Sequence, residues 1–449
     1  MQEEGQEIHY AASAHIEIEN LSMVDRLRKP VKSSPDASSE EVVSKNNNSE
    51  VESFVSSALD VYKGFFIFFM LTEHTRSSFR VSHEWSTHPI MHVISQVACA
   101  LDMTSFSTAY GFSCQRLYYT NDVKQRSLSS RIERALRSVG VILFAAFASN
   151  ITFEWCVTGI APNWDSLSML LLQSRQYWDF LGTFPLMLGI GFLTTKPLLD
   201  RSRELSHVRK LFIYLGLLVV PLAGAAFNLD TCESLSERYA ALFIGCVRRS
   251  MGAMRFSAIS YMFYFNWGAV ASEILRDWVN GGLTLSTKRM YSATFAALLA
   301  IEIYCCIPLF KNWGKSWEYL NWEGYMRFPM SPKLVLAWGF LTFSALSLAV
   351  ILVYLRSILI NRFALIRVPI NWLVAQLEHM GANVLLYLLI SNLTINGFFA
   401  NNWTKKVKVP DLRNPGYSNR TWEWLTVTTG LSTIVLVRFV IYLVRSGRK

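Results

Sequence analysis

The chain has 449 residues, of which 51% are hydrophobic and only 17% charged, with a formal net charge of +10. Soluble domains carry roughly 25% charged residues, and here the charges are clumped between long apolar stretches, so an ordinary soluble enzyme is excluded. The basic excess lies in loops beside apolar segments and points to lipid headgroups or a phosphate-bearing ligand, not to nucleic acid.

Residues 1–55 differ from the rest. The stretch "KSSPDASSEEVVSKNNNSEVES" is rich in Ser, Asn and Glu and has no aromatics, so it reads as a disordered cytosolic tail. No apolar core of a cleavable signal peptide stands at the N-terminus, and the first span is expected to serve as an uncleaved anchor. Residues 56–449 form the membrane domain. A bilayer core of about 30 Å takes about 20 apolar residues per helix. Such stretches fall near 59–80, 89–112, 137–157, 177–195, 210–228, 250–275, 290–310, 334–356, 371–398 and 422–445. The expected fold is an all-α polytopic membrane protein of about ten spans. Residues 239–248 are apolar but short and end at Arg248 and Arg249, which makes them an interfacial or re-entrant piece or an eleventh span.

Basic residues in short loops set the orientation. Arg116, Lys124, Arg126, Arg131, Arg134 and Arg137 follow span 2, and Lys196, Arg201, Arg203, Arg209 and Lys210 follow span 4. The loops after spans 1 and 3 hold only Arg76, Arg80 and Arg175. Both termini are therefore expected in the cytosol. The sequons Asn402-Trp-Thr and Asn419-Arg-Thr then fall on the lumenal side, where glycosylation acts. Cys99, Cys156, Cys246, Cys305 and Cys306 lie in or beside apolar segments and read as small hydrophobes, although Cys156 and Cys232 share the lumenal side and a bridge between them is geometrically possible.

Span 1, "LDVYKGFFIFFMLTEHTRSSF", places Asp60 and Lys63 at its cytosolic end and Glu73 with His74 in its lumenal half, about 21 Å further on. Residues 74–92 hold His74, His83, His88 and His92, four of the chain's eight histidines. Ionisable groups at such depth face a cavity or a partner, and an imidazole suits proton transfer at neutral pH. The plain alternative is that Glu73 and His74 snorkel to the interface and pair with Arg76. Metal binding by His83, His88 and His92 has no supporting ligand motif, and no metal is expected. Span 2 adds Asp102, Ser105 and Tyr110, which can line a polar path, although small polar residues also serve helix contacts in membranes.

The acid, then Lys before Gly64, then an apolar run ending in His74, resembles the first span of the transmembrane acyltransferases, the acyltransferase 3 and heparan-α-glucosaminide N-acetyltransferase-like proteins. "LDMTSFSTAYGFS" looks like that family's second span, and "LEHMGANVLLYLLISN" (377–392) like its late helix; the specific match covers about 50 residues. The resemblance implies transfer of an acyl group, acetyl in the first instance, from cytosolic acyl-CoA to a hydroxyl or amine on the far side, often on a sugar. It assigns His74 as general base, and Asp60 with Lys63 as the cytosolic acid–base pair. Lys63 stands where the family commonly has Arg, and Tyr110-Gly111-Phe112-Ser113 replaces the usual end of span 2.

Around that core, Glu73 and Asp102 are expected to assist His74. Lys63, Arg116, Lys124, Arg126 and Asn383 are expected to hold the acyl-CoA, since arginine clamps phosphate bidentately; plain positive-inside topology explains the same basic residues. Glu378 and His379 lie one turn before Asn383. His83, His88, Trp317 and Trp322 are expected to face the acceptor, although Trp and Tyr also form interfacial belts. Glu302 and Arg438 are mid-membrane charges, for which mutual pairing is one reading. A multi-span transporter or channel and a non-catalytic relative are the alternatives. No internal repeat of the kind transporters show is found.

Overall fold

The computed structural model describes residues 39–78, 89–119, 127–158, 180–227, 229, 234–245, 257–279, 283–311, 321–322, 325–326, 330–359, 364–391 and 419–446. The described chain is helical throughout. In order it forms α1 (Ser39–Ser78), α2 (Pro89–Cys114) running into a π-helical turn (Gln115–Tyr119), and α3 (Leu128–Thr158). Then come α4 (Phe180–Leu193), α5 (Thr195–Ser202), α6 (His207–Gly224), α7 (Leu235–Ile244), α8 (Ala258–Val279) and α9 (Leu285–Lys311). A short antiparallel ladder pairs Asn321 with Met326 and Trp322 with Tyr325. Last come α10 (Pro332–Leu359), α11 (Ala364–Ala382), α12 (Val384–Ser391) and α13 (Asn419–Ser446).

Each of the ten expected apolar stretches overlaps at least one described helix. Among the described residues four helices are long and apolar enough to cross a membrane, or five if α11 and α12 count as one broken span. Two further differences have local causes. Helix α1 starts at Ser39, well before the boundary expected near residue 55. Between Pro35 and Gly64 no proline or glycine interrupts the chain, and Glu, Val, Lys and Ser are tolerated in a helix, so the polar stretch continues the same helix. The late apolar stretch breaks at Asn383, whose backbone N–H turns back to the Met380 carbonyl at 3.1 Å. The piece at 239–248 is α7, which stops at Gly245 with φ of +84°, the left-handed conformation that suits a helix C-terminus.

The contacts divide the chain into two units. One comprises residues up to Gly64 and Leu348–Asn383; the other comprises Phe65–Ser347 and Val384–Lys449. In the second unit α8 is the centre. It packs most extensively against α2 and next against α6. Its run from Tyr261 to Asn266 is buried on every face, as expected of a helix enclosed by others. Polar pairs pin it in place: Tyr264 donates to the Val335 carbonyl at 2.7 Å and Asn266 to the Leu217 carbonyl at 2.7 Å, while Thr195 donates to Asn266 at 2.8 Å.

The closest approaches use glycine reciprocally. A Cβ at Gly111 of α2 would strike the Phe265 carbonyl of α8, and one at Gly268 of α8 would strike the Thr108 carbonyl of α2. In the first unit Gly64 lies against the Leu377 carbonyl and Gly381 against that of Asp60. Small residues of this kind let helix backbones touch in lipid, where packing replaces the hydrophobic drive. Replacing Gly268 by Leu is expected to separate α8 from α2, costing about 1–3 kcal/mol or more. Gly216→Leu, where nothing lies within 4 Å of the added carbon, should leave the melting temperature in detergent nearly unchanged.

Candidate functional site

Among the described residues, polar side chains gather in two places, and the backbone brings a third group of expected site residues to a similar depth. The first lies in the unit that contains Asp60. Asp60 and Lys63, one turn apart on α1, pair at 2.7 Å. Across from them Glu378 of α11 accepts from Ser57 of α1 and from Arg356 of α10, the latter at 2.8 Å. Asn383 donates its amide to the His379 carbonyl at 2.8 Å, which caps the end of α11. Two of the three segments that carry the acyltransferase resemblance, some 300 residues apart in sequence, therefore meet through Gly64 and Gly381. Sequence reasoning named Lys63, Glu378 and Asn383. It missed Ser57 and Arg356, which carry no local signal beyond lying near helix ends.

The group placed by the backbone belongs to the other unit and concerns span 1 and span 2. The Phe66 and Phe106 rings meet with centroids 5.2 Å apart, tying α1 to α2. A parallel pair would place Ser78 and Pro89 about 44 Å apart along the axes, and the eleven steps between them reach about 40 Å at most. The helices are therefore antiparallel. His74 then lies about 12 Å beyond the Phe66–Phe106 contact and Asp102 about 6 Å beyond it in the same direction. The backbone thus brings Glu73, His74 and Asp102 within one to two turns of one another in depth. Their side chains lie outside the described residues, as do residues His83, His88, Lys124, Arg126, Trp317 and Cys232 and the side chains of Trp322 and Cys156.

Along α2, Ser107, Thr108 and Ser113 donate back to carbonyls four residues earlier at 2.8–3.0 Å, so their hydroxyls are satisfied within the helix. Thr104 joins Thr342 of α10 at 2.6 Å. Ser105 keeps a buried hydroxyl with no partner. Tyr110 does not join it in a path: its ring sits in an aromatic stack with Phe184 and Phe265, at 4.9 and 5.8 Å.

At the far end of α2 the π-helical turn buries Gln115, Tyr118 and Tyr119. Tyr119 donates to the Leu188 carbonyl at 3.3 Å; burial, with the Cys114 thiol beside it, holds that hydroxyl protonated far above the ordinary phenol range. Arg131 of α3 is buried, at 6% exposure. It donates to the Tyr118 and Tyr119 carbonyls at 3.5 and 3.3 Å, and its Nε has no partner. Of the four described basic residues after span 2, Arg116, Arg131, Arg134 and Arg137, Arg131 is the buried one. The signal was present in the sequence, because Arg131 heads the stripe Ala135, Ile142, Ala145 that α3 buries. Arg116 stays partly exposed, over the Phe112 ring at 6.0 Å.

The second polar cluster centres on Glu273 of α8, which is 1% exposed. It accepts from Gln115 of the π-turn, from Arg203 at 2.7 Å and from Arg276 at 2.5 Å. The network continues through Asp200, bound by Arg203 at 3.0 Å and by Lys196, and through the pair of Lys210 with Asp277 at 2.8 Å. Four cations and three carboxylates so interlock the ends of α2, α5, α6 and α8. All four cations had been counted only as loop charges or left uncounted. Glu302 and Arg438 do not pair: Glu302 lies against Gly339, and Arg438 is hydrogen-bonded to Tyr387 of α12. No group of three or more His, Cys, Asp or Glu residues able to hold a metal occurs among the described residues.

Comparison with protein-family models, with curated proteins and with solved structures gives no match. The functional reading therefore rests on the residues themselves.

Removing the charge at Glu273 leaves Arg203 with Asp200 alone and takes from Arg276 its close partner, both guanidiniums being about one-fifth exposed. Glu273→Gln is expected to destabilise the protein by about 1–3 kcal/mol. The exposed pair of Glu133 with Arg137 should matter little when Glu133 is changed to Gln. Thermal unfolding of the two variants in one detergent separates them.

Proposed function

We propose that the chain is a membrane-embedded acyltransferase that moves an acyl group, acetyl in the first instance, from cytosolic acyl-CoA to a hydroxyl or amine on the lumenal or extracellular side. The observation that carries this reading is the meeting of the "LDVYKG" and "LEHMGAN" segments. Each contributes the glycine under which the other's backbone passes, and Asp60, Lys63, Glu378 and Asn383 gather within the same unit.

In this reading ten helices span the bilayer with both termini cytosolic, and Asn402 and Asn419 are lumenal glycosylation sites. The protein lies in an endomembrane or the plasma membrane, and nucleic acid is not a partner. His74 takes the proton of the acceptor hydroxyl or amine, with Glu73 and Asp102 orienting and stabilising the imidazole. The acceptor oxygen or nitrogen attacks the thioester carbonyl, the carbon–sulfur bond breaks, and the imidazolium returns its proton to the departing thiolate. Arg131, Lys63, Arg116, Lys124 and Arg126 serve the phosphates of the donor, with Asn383 at its pantetheine end. Arg131 is the best placed of these, because its Nε remains free within a buried setting and guanidinium binds phosphate bidentately. His83, His88, Trp317 and Trp322 receive the acceptor, and aromatic faces suit a glycan.

A second reading, a transporter, is favoured by one observation: Glu302, a buried carboxyl in an apolar helix with an oxygen that has no partner. Intramembrane acids of this kind mark ion and proton pathways.

Acyl-CoA turnover by the purified protein decides between them. Wild type is expected to hydrolyse or transfer the thioester, and His74→Ala to lose turnover by at least about 100-fold while still binding acyl-CoA. Arg131→Ala is expected to weaken binding while leaving the turnover of bound donor nearly intact. Full activity in His74→Ala removes the catalytic assignment, and absence of binding and turnover in wild type shifts the reading to transport.

A further inference from the structure

Glu302 is used neither by the acyl transfer nor by the ion pairs that hold the fold. It lies in α9, a helix long and apolar enough to cross a membrane, and it is 2% exposed. Its neighbours Ile301, Ile303 and Tyr304 face outward, so the carboxyl alone at this level turns into the protein. Oε1 has no hydrogen-bond partner, and among the described residues no cation pairs with the group.

The carboxyl is seated against Gly339 of α10. A Cβ at that position would stand 2.6 Å from Oε1 and 3.0 Å from Cδ, so any side chain larger than hydrogen pushes on the carboxyl. Gly339 also lines a narrow slot with Thr108 of α2, Tyr264 and Trp267 of α8, and Thr342 and Phe343 of α10. Thr342 shares its hydrogen bond with Thr104. The slot is small and mostly apolar, with room for about one water. The titratable groups facing this region are Cys305 and Cys306 of α9, Lys333 at the start of α10 near Cys305, and Tyr264, which donates to the Val335 carbonyl.

A carboxylate without a countercharge is disfavoured in such surroundings, and an apolar side chain of the same size would fill the site without that cost. We propose that Glu302 is a proton-binding site inside the membrane domain, a carboxyl held against Gly339 that takes up and releases one proton. The step is carboxylate plus proton to carboxylic acid and its reverse, and it needs no other reactant. The acyl transfer consumes no net proton, so this site is independent of that reading and stands whichever function holds.

Infrared difference spectra of the full-length protein in lipid nanodiscs test it, with wild type compared with Glu302→Gln across a pH series. The expected result is a carboxylic-acid carbonyl absorption at neutral pH that is absent from Glu302→Gln. It should shift in heavy water and convert to carboxylate absorption as the pH rises. Gly339→Ala, which presses on the carboxyl without removing it, should move the midpoint of that conversion and so assigns the band even if Glu302→Gln fails to fold. A wild-type spectrum with no such band at neutral pH overturns the proposal. So does a band that neither exchanges in heavy water nor titrates, because that describes a sealed acid and not a proton site.

Discussion

Everything in this protein depends on helices approaching one another closely in a medium that does not push them together. In water, apolar faces associate because burial removes them from solvent. Lipid tails are as apolar as Leu, so helices crossing a bilayer must find other attractions. The two reciprocal glycine contacts supply them. At Gly111 with Phe265 and at Gly268 with Thr108, the backbones of α2 and α8 come into direct contact, and dispersion forces act over a long seam. The same device joins Gly64 with Leu377 and Gly381 with Asp60. Its geometry then fixes which polar groups stand opposite one another, because two helices locked at the backbone leave their side chains little freedom to slide.

The charged groups take the second role. Glu273 sits where an apolar helix runs out, and three donors from three different segments converge on it. A pair of this kind adds little to net stability when compared with apolar residues of the same shape, but it tolerates no missing member. It therefore acts on specificity: the ends of α2, α5, α6 and α8 fit together in one way. The π-helical turn at Gln115–Tyr119 belongs to that fit, since the wider turn brings Gln115 to Glu273 and presents the Tyr118 and Tyr119 carbonyls to Arg131. Such turns concentrate at sites where a helix must aim a side chain in a direction its regular period does not offer.

Much of the helical layout was legible in the sequence, because about 20 apolar residues bounded by charge leave the backbone no alternative to a helix in lipid. The partners of individual charges were not legible. Glu302 and Arg438 looked like a pair on depth alone, yet depth says nothing about which face of a helix a residue occupies, and Glu302 points to Gly339 while Arg438 meets Tyr387. Ser57 and Arg356 escaped notice because their meeting with Glu378 depends on the packing of distant segments. Arg131 was counted among loop charges although its place on the buried stripe of α3 distinguished it. The glycines were read one at a time, whereas their meaning is mutual.

Helix α9 has one more consequence, which concerns the membrane more than the protein. Its apolar run is bracketed by Arg289 and Lys311, a stretch of about 32 Å at the usual helical rise. Only 17% of its apolar window is buried inside the protein, so lipid forms most of its surroundings. Few internal contacts hold its angle, and its two basic ends seek the headgroups. In a plasma membrane of about 32–33 Å it stands nearly upright, and in an endoplasmic reticulum bilayer of about 27 Å it must lean. The thickness of the host bilayer thus becomes a mechanical variable that acts on α9 and, through it, on the helix it rests against.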